Sequence, residues 1–84
     1  MSDLEERFKK ASEEAMKLPI QDSDTMLKLY AYYKQSTAGD ISGKRPGMTD
    51  LRGRAKYDAW DKVKGTSREE AMQAYIDLVE KTRK

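Results

Sequence analysis

Ser23-Asp24-Thr25-Met26-Leu27-Lys28-Leu29-Tyr30-Ala31-Tyr32-Tyr33-Lys34-Gln35-Ser36-Thr37-Ala38-Gly39 is the stretch on which the fold turns. It holds no proline, and Met26, Leu27, Tyr30, Tyr33 and Thr37 recur along one stripe at helical spacing. Asp22 or Ser23 offers the side-chain oxygen of an N-cap. Gly39 can take the left-handed conformation that ends a helix. A helix from about Ser23 to Gly39 follows, with no convincing strand.

On either side of this stretch the same period appears three more times. Leu4, Phe8, Ala11, Ala15 and Leu18 mark a helix from about Asp3 to Leu18, stopped by Pro19. Ala55, Ala59, Trp60 and Val63 mark an inward face on a helix from about Asp50 to Lys64, closed by Gly65. Ser67-Arg68-Glu69-Glu70 reads as a capping box, opening a helix whose inward face is Ala71, Met72, Tyr75, Ile76 and Val79. Between the second and third helices, Gly39 to Thr49 forms the one long loop, with three glycines and Pro46. The fold class is all-α, with four helices in a single domain spanning residues 1–84.

With 84 residues, the chain has room for one compact core. It contains no cysteine and no histidine, which removes disulfide scaffolds, thiol nucleophiles, the usual zinc and haem ligands and the commonest general base. Its longest apolar run, Leu29 to Tyr33, falls far short of the roughly 20 residues of a membrane span. The acidic start, Met1-Ser2-Asp3-Leu4-Glu5-Glu6, shows no signal-peptide core, so a cytoplasmic location is expected. Charge is unevenly distributed. Residues 1 to 27 carry four basic and seven acidic side chains, whereas residues 44 to 64 carry seven basic and three acidic. The middle of the chain therefore faces an anion, and the modest net charge of +2 favours a compact anion over a long polyanion.

Several short motifs lack residues that their chemistry requires. Gly39-Asp40-Ile41-Ser42-Gly43-Lys44 has three residues between its glycines where a P-loop needs four, and Arg45 replaces the magnesium-binding hydroxyl. Asp22-Ser23-Asp24 could open a calcium loop, but Met26, Leu27 and Tyr33 occupy positions that need a ligand, the turn glycine and the bidentate glutamate. Glu13-Glu14 and Glu69-Glu70 diverge around their helices and form no acid/base pair.

Two clusters survive. Tyr30, Tyr33 and Lys34 lie three and four apart, which brings two rings and an ammonium onto one patch suited to a base and a phosphate. The plainer alternative makes the tyrosines core and Lys34 a surface lysine. Arg52, Arg54, Lys56 and Tyr57 gather three cations and a ring at the start of the third helix, or form an ordinary charged face.

These residues resemble the acyl-CoA-binding protein family. Tyr30-Ala31-Tyr32-Tyr33-Lys34-Gln35-Ser36-Thr37-Ala38-Gly39-Asp40 is similar to that family's second-helix signature. Arg45-Pro46-Gly47-Met48 with Gly53-Arg54-Ala55-Lys56-Tyr57-Asp58-Ala59-Trp60 matches its second block, and Lys64-Gly65-Thr66-Ser67 with Ala71-Met72 and Ala74-Tyr75-Ile76 its third. The resemblance implies an up-down-down-up four-helix bundle that carries long-chain acyl-CoA in a surface bowl, as a monomer, without a cofactor or metal. It also implies roles by position: Tyr30, Lys34 and Lys56 at the 3′-phosphate, Tyr33 against the adenine, and Tyr75 as the fourth helix's contact. For the acyl chain, the expected lining is Phe8, Ala11, Ser12, Ala15, Met26 and Leu27. Met16 stands where vertebrate members carry a basic residue, with Lys17 beside it, and Tyr57 replaces the usual tryptophan. The implied partners are acyl-CoA esters, with transient contacts to acyl-CoA-using enzymes or membranes. A rival reading, a small helical nucleic-acid binder, would use Arg52, Arg54 and Lys56. Enzymatic activity is not expected, because no nucleophile has a neighbouring base.

Overall fold

The computed structural model describes residues 3–20 and 22–83, which form four helices: α1 (Asp3–Ala15), α2 (Ser23–Thr37), α3 (Leu51–Lys62) and α4 (Arg68–Arg83). No strand occurs among the described residues. The ends follow from local chemistry. Asp22 caps α2, its carboxylate accepting from the Asp24 amide at 3.2 Å and the Thr25 hydroxyl at 2.7 Å. The capping box of α4 is reciprocal: the Glu70 amide donates to Ser67 Oγ at 3.1 Å, and the Ser67 amide to Glu70 Oε1 at 3.3 Å. Asp50 caps α3 through the Gly53 amide at 2.9 Å, so close that a Cβ on Gly53 would collide with the carboxylate. Gly39 and Gly65 follow α2 and α3 with φ of +84° and +90°. Helix α1 ends at Ala15 instead of Leu18, because its last carbonyls tighten into turns ahead of Pro19: the Lys17 amide donates to Glu14 O and the Leu18 amide to Ala15 O.

Three sets of contacts fix the topology. Leu4 and Phe8 of α1 lie beside Arg68 and Met72 at the start of α4, and Arg83 at the end of α4 pairs with Glu14 at 2.8 Å, so α1 and α4 run parallel. Gln35, near the end of α2, donates to Thr66 O just before α4, which makes α2 antiparallel to α4. Lys56 of α3 stands over Tyr30 of α2 and Lys34 of α2 over Trp60 of α3, the same offset in both pairs, so α2 and α3 are parallel. The bundle is up-down-down-up. Side by side the order is α3, α2, α4, α1, since α2 packs on α3 and α4 while α1 packs on α4.

The core gathers Phe8, Ala11, Leu29, Tyr75, Ile76 and Val79, with Leu4, Ala15, Leu18 and Met72 against it. The faces read from α1 and α4 therefore hold, that of α2 does not, and that of α3 does turn toward α2 but is only half-buried. Helix α2 buries Leu29, Ala31, Gln35 and Ser36, and turns Met26, Tyr33 and Thr37 outward. Helix α3 buries no residue; Ala55, Ala59 and Trp60, with Val63 just after the helix, are half-buried, because α2 is the one helix packed on α3 and the long loop adds only part of the cover.

Candidate functional site

Gln35 holds the middle of the molecule together. It is only 1% exposed and sits where α2, the long loop, α3 and the α3–α4 connection meet. Its Nε2 donates to Asp40 Oδ1 at 2.7 Å and Thr66 O at 2.8 Å, while its Oε1 accepts from Trp60 Nε1 at 3.2 Å. Trp60 Nε1 also donates to Gly39 O at 2.9 Å, and the Gly65 amide to Asp40 Oδ1 at 2.9 Å. The Gly65 amide foremost, then Gln35, hold the Asp40 carboxyl below the usual range. The loop is pinned to α3 as well: Arg45 forks onto Asp58 at 2.9 and 2.7 Å, and Tyr57 Oη donates to Gly43 O at 3.0 Å. Polar residues at core positions look like surface in a sequence, so this network was not foreseen.

The anchored frame holds the cationic and aromatic groups. Lys56 Nζ lies 5.3 Å from the Tyr30 ring centre, and Lys34 Nζ 5.1 Å from that of Trp60. Among the described residues neither lysine is in an ion pair, whereas Arg45 and Arg83 are. The patch expected from Tyr30, Tyr33 and Lys34 is thus divided. Tyr30 takes its cation from α3, Lys34 turns to Trp60, and Tyr33 joins an aromatic group with Phe8 at 5.8 Å and Tyr75 at 6.1 Å between ring centres. Tyr75 reaches the site because α4 packs on α2, which periodicity alone could not reveal. Burial, then Tyr33, raises its phenol above the ordinary range, so it stays protonated at neutral pH.

Two troughs flank α2. The one between α1, α2 and α4 holds about 500 Å³; Ser12 and Ala15 on one wall face Tyr30, Tyr33 and Tyr75, with Met16, Leu18, Ile20 and Met26 toward one end. The other, about 600 Å³ between α2 and α3, has Leu27, Ala31, Ala55 and Ala59 in its floor and charged side chains, including Lys28 and Asp58, in its lining. The expected acyl-chain residues are therefore split. Ser12, Ala15 and Met26 line the first trough and Leu27 the second, while Phe8 and Ala11 are buried in the core beneath. Leu18, Ile20 and Leu29 line the first trough without having been foreseen; Leu29 stands three from Met26 and four from Tyr33, a spacing that could have revealed it. Met16, where a cation would be usual, is 83% exposed at the rim of that trough. Among the described residues no cluster of three potential metal ligands occurs, and no helix is long and apolar enough to cross a membrane.

Known proteins share this sequence pattern and fold. The family model described as acyl-CoA-binding protein matches residues 5–79. An acyl-CoA-binding protein homolog of Manduca sexta is 47% identical over 79 residues, covering 92% of this chain and 88% of its own, and homolog 1 of Caenorhabditis elegans is 52% identical over 58 residues, covering 69% and 67%. The crystal structure of Oryza sativa acyl-CoA-binding protein 2 superposes with a TM-score of 0.92 at 42% identity, over 95% of this chain and 90% of that one. A family match across nearly the whole chain, close relatives and a shared fold agree: the chain belongs to the acyl-CoA-binding protein family.

Proposed function

We propose that this protein is a non-catalytic carrier of medium- to long-chain acyl-CoA esters, acting as a cytoplasmic monomer that meets acyl-CoA-using enzymes or membranes transiently. One observation carries the reading: two ammonium groups without carboxylate partners among the described residues, Lys56 and Lys34, sit on the ring faces of Tyr30 and Trp60, and Tyr30 also lines an apolar trough. A dianionic phosphate suits such cations, and a purine suits a ring face. The family names point to the same ligand.

We assign the 3′-phosphate to Lys56, Lys34 and the Tyr30 hydroxyl. The short side chains of Ser12 and Ala15 opposite Tyr30 and Tyr33 leave a slot that suits a flat base, so these two go to the adenine instead of the acyl chain. Tyr75 and Phe8 back Tyr33 from below, and Ala11 belongs to the same floor. The acyl chain is assigned to Met26 and Leu27 in the first turns of α2, each bordering one of the two troughs. Burying methylenes yields about 0.8 kcal/mol each, so a sixteen-carbon chain supplies on the order of 10 kcal/mol before ordering costs.

Calorimetry across chain lengths tests this. Each added pair of carbons should strengthen binding about tenfold until the trough is full; a flat series would contradict it. The carrier role is supported by Ser12, the serine in the first trough, whose hydroxyl donates to Lys9 O at 2.7 Å and not to a base. Intact thioester after overnight incubation is the expected result, and hydrolysis would overturn it. The nucleic-acid reading gains no support from the comparisons, and Lys56, one of its three cations, is turned onto Tyr30.

A further inference from the structure

The cations of the α3 region are not all used by the site. Residues 44–56 carry Lys44, Arg45, Arg52, Arg54 and Lys56 against one acid, Asp50. Asp50 is occupied in capping α3, Arg45 is held by Asp58, and Lys56 lies over Tyr30. Among the leftover cations, Lys44 and Arg52 are exposed. Between them stand two large apolar side chains in the open: Met48 is 81% exposed and Leu51 74%. The loop that presents Met48 and leads into Leu51 is fixed at Gly43 and Arg45, and the Asp50 amide closes its last turn onto Gly47 O at 3.0 Å.

From this combination we infer that Met48 and Leu51, flanked by Lys44 and Arg52, form a tip that docks on anionic membrane surfaces. Two protruding apolar side chains, one on an anchored loop and one on the first residue of α3, suit the boundary between headgroups and acyl chains, and the cations complement anionic lipid. A polyanion such as nucleic acid would be held by the cations alone and would leave the aliphatic pair in water. The position gives the tip a purpose. The offset that sets Lys56 over Tyr30 and Lys34 over Trp60 puts Arg52, one turn back, level with Met26. Docking would bring the trough's apolar end to the bilayer, where an acyl chain could pass without crossing water; this purpose rests on the acyl-CoA reading, the docking itself does not.

Co-sedimentation of the ligand-free full chain with vesicles of equimolar phosphatidylcholine and phosphatidylserine tests the inference, beside vesicles of phosphatidylcholine alone and an RNA duplex. The wild type should partition onto the mixed vesicles and less onto the neutral ones. Met48→Ser with Leu51→Ser should lower partitioning at least tenfold, and Arg52→Ala about fivefold. All three substitutions lie at exposed positions, and octanoyl-CoA affinity, measured by calorimetry without vesicles, should stay unchanged in each variant. No partitioning by the wild type, or equal partitioning by the serine variant, would overturn the docking tip. RNA binding that depends on Arg52 but not on Met48 and Leu51, without vesicle binding, would assign the cations to a polyanion instead. Failure of octanoyl-CoA to bind the wild type would strike the carrier reading, not the tip.

Discussion

Replacing Lys56 by alanine separates binding from folding. In the free protein the ammonium makes one contact of note, over the Tyr30 ring at 5.3 Å, and the residue is exposed. An exposed cation–π contact is worth about 0.5–1 kcal/mol, so the unfolding midpoint in urea should move little. With acyl-CoA bound, the same ammonium would make a charge-assisted hydrogen bond to the phosphate, worth about 1.5–3 kcal/mol. The dissociation constant for palmitoyl-CoA should therefore rise by roughly ten- to 150-fold. Calorimetry gives the affinity, and a second ligand identifies the contact. For the wild type, removing the ligand's 3′-phosphate should cost a similar amount; for Lys56→Ala, removing it should cost much less, because the two changes delete one interaction. A folded variant with unchanged affinity, or losses that simply add, would refute the assignment of Lys56 to that phosphate.

Other outcomes follow from the frame. Gln35→Ala should destabilise the fold by about 2–3 kcal/mol in urea denaturation with an unchanged slope, since it removes a nearly fully buried donor and acceptor and leaves Thr66 O without that partner. Gly53→Ala should lower the melting temperature despite alanine's better helix propensity, because the new Cβ displaces the Asp50 cap; a stabilised variant would contradict the cap geometry. Asp22, Asp40 and Asp58 all have carboxyls held below the ordinary range, by Thr25, the Gly65 amide and Arg45 foremost. A lowered folded pKa means the folded state holds its protons less firmly than the unfolded chain. Their stabilisation should therefore be complete above the unfolded value near 3.9 and fade as pH falls through the lower folded values. With no histidine in the chain, the unfolding midpoint should change little between pH 5 and 8, which an acid titration followed by circular dichroism would reveal.

Local rules carried far in this sequence where one element decides its own geometry. The Ser67–Glu70 box, the Gly39 and Gly65 stops and the apolar stripes of α1 and α4 depend on neighbours a turn away, and each is found in the structure. Where a packing partner decides, the local pattern misleads. Met26 and Tyr33 look like core by period but are 53% and 41% exposed, because α2 is covered from two sides by α3 and α4 and leaves this edge to the trough. Gln35 and Ser36 look like surface and are buried, their polar atoms satisfied by contacts such as Gln35 to Thr66 O that no window of sequence contains. The pairing of Lys34 with Trp60, and of Lys56 with Tyr30, depends on the parallel register of α2 and α3. The residue types of the site were legible, but their partners required the packed bundle.

A titration of isotopically labelled protein with palmitoyl-CoA, followed by NMR, puts the whole account at risk. The largest shifts should fall at Tyr30, Tyr33, Lys34 and Lys56, with Met26 and Leu27 following only when the acyl chain is present and not with coenzyme A alone. Shifts confined to the outer face of α1 and α4, around Arg7, Lys10 and Glu80, or no shifts at all, would contradict it.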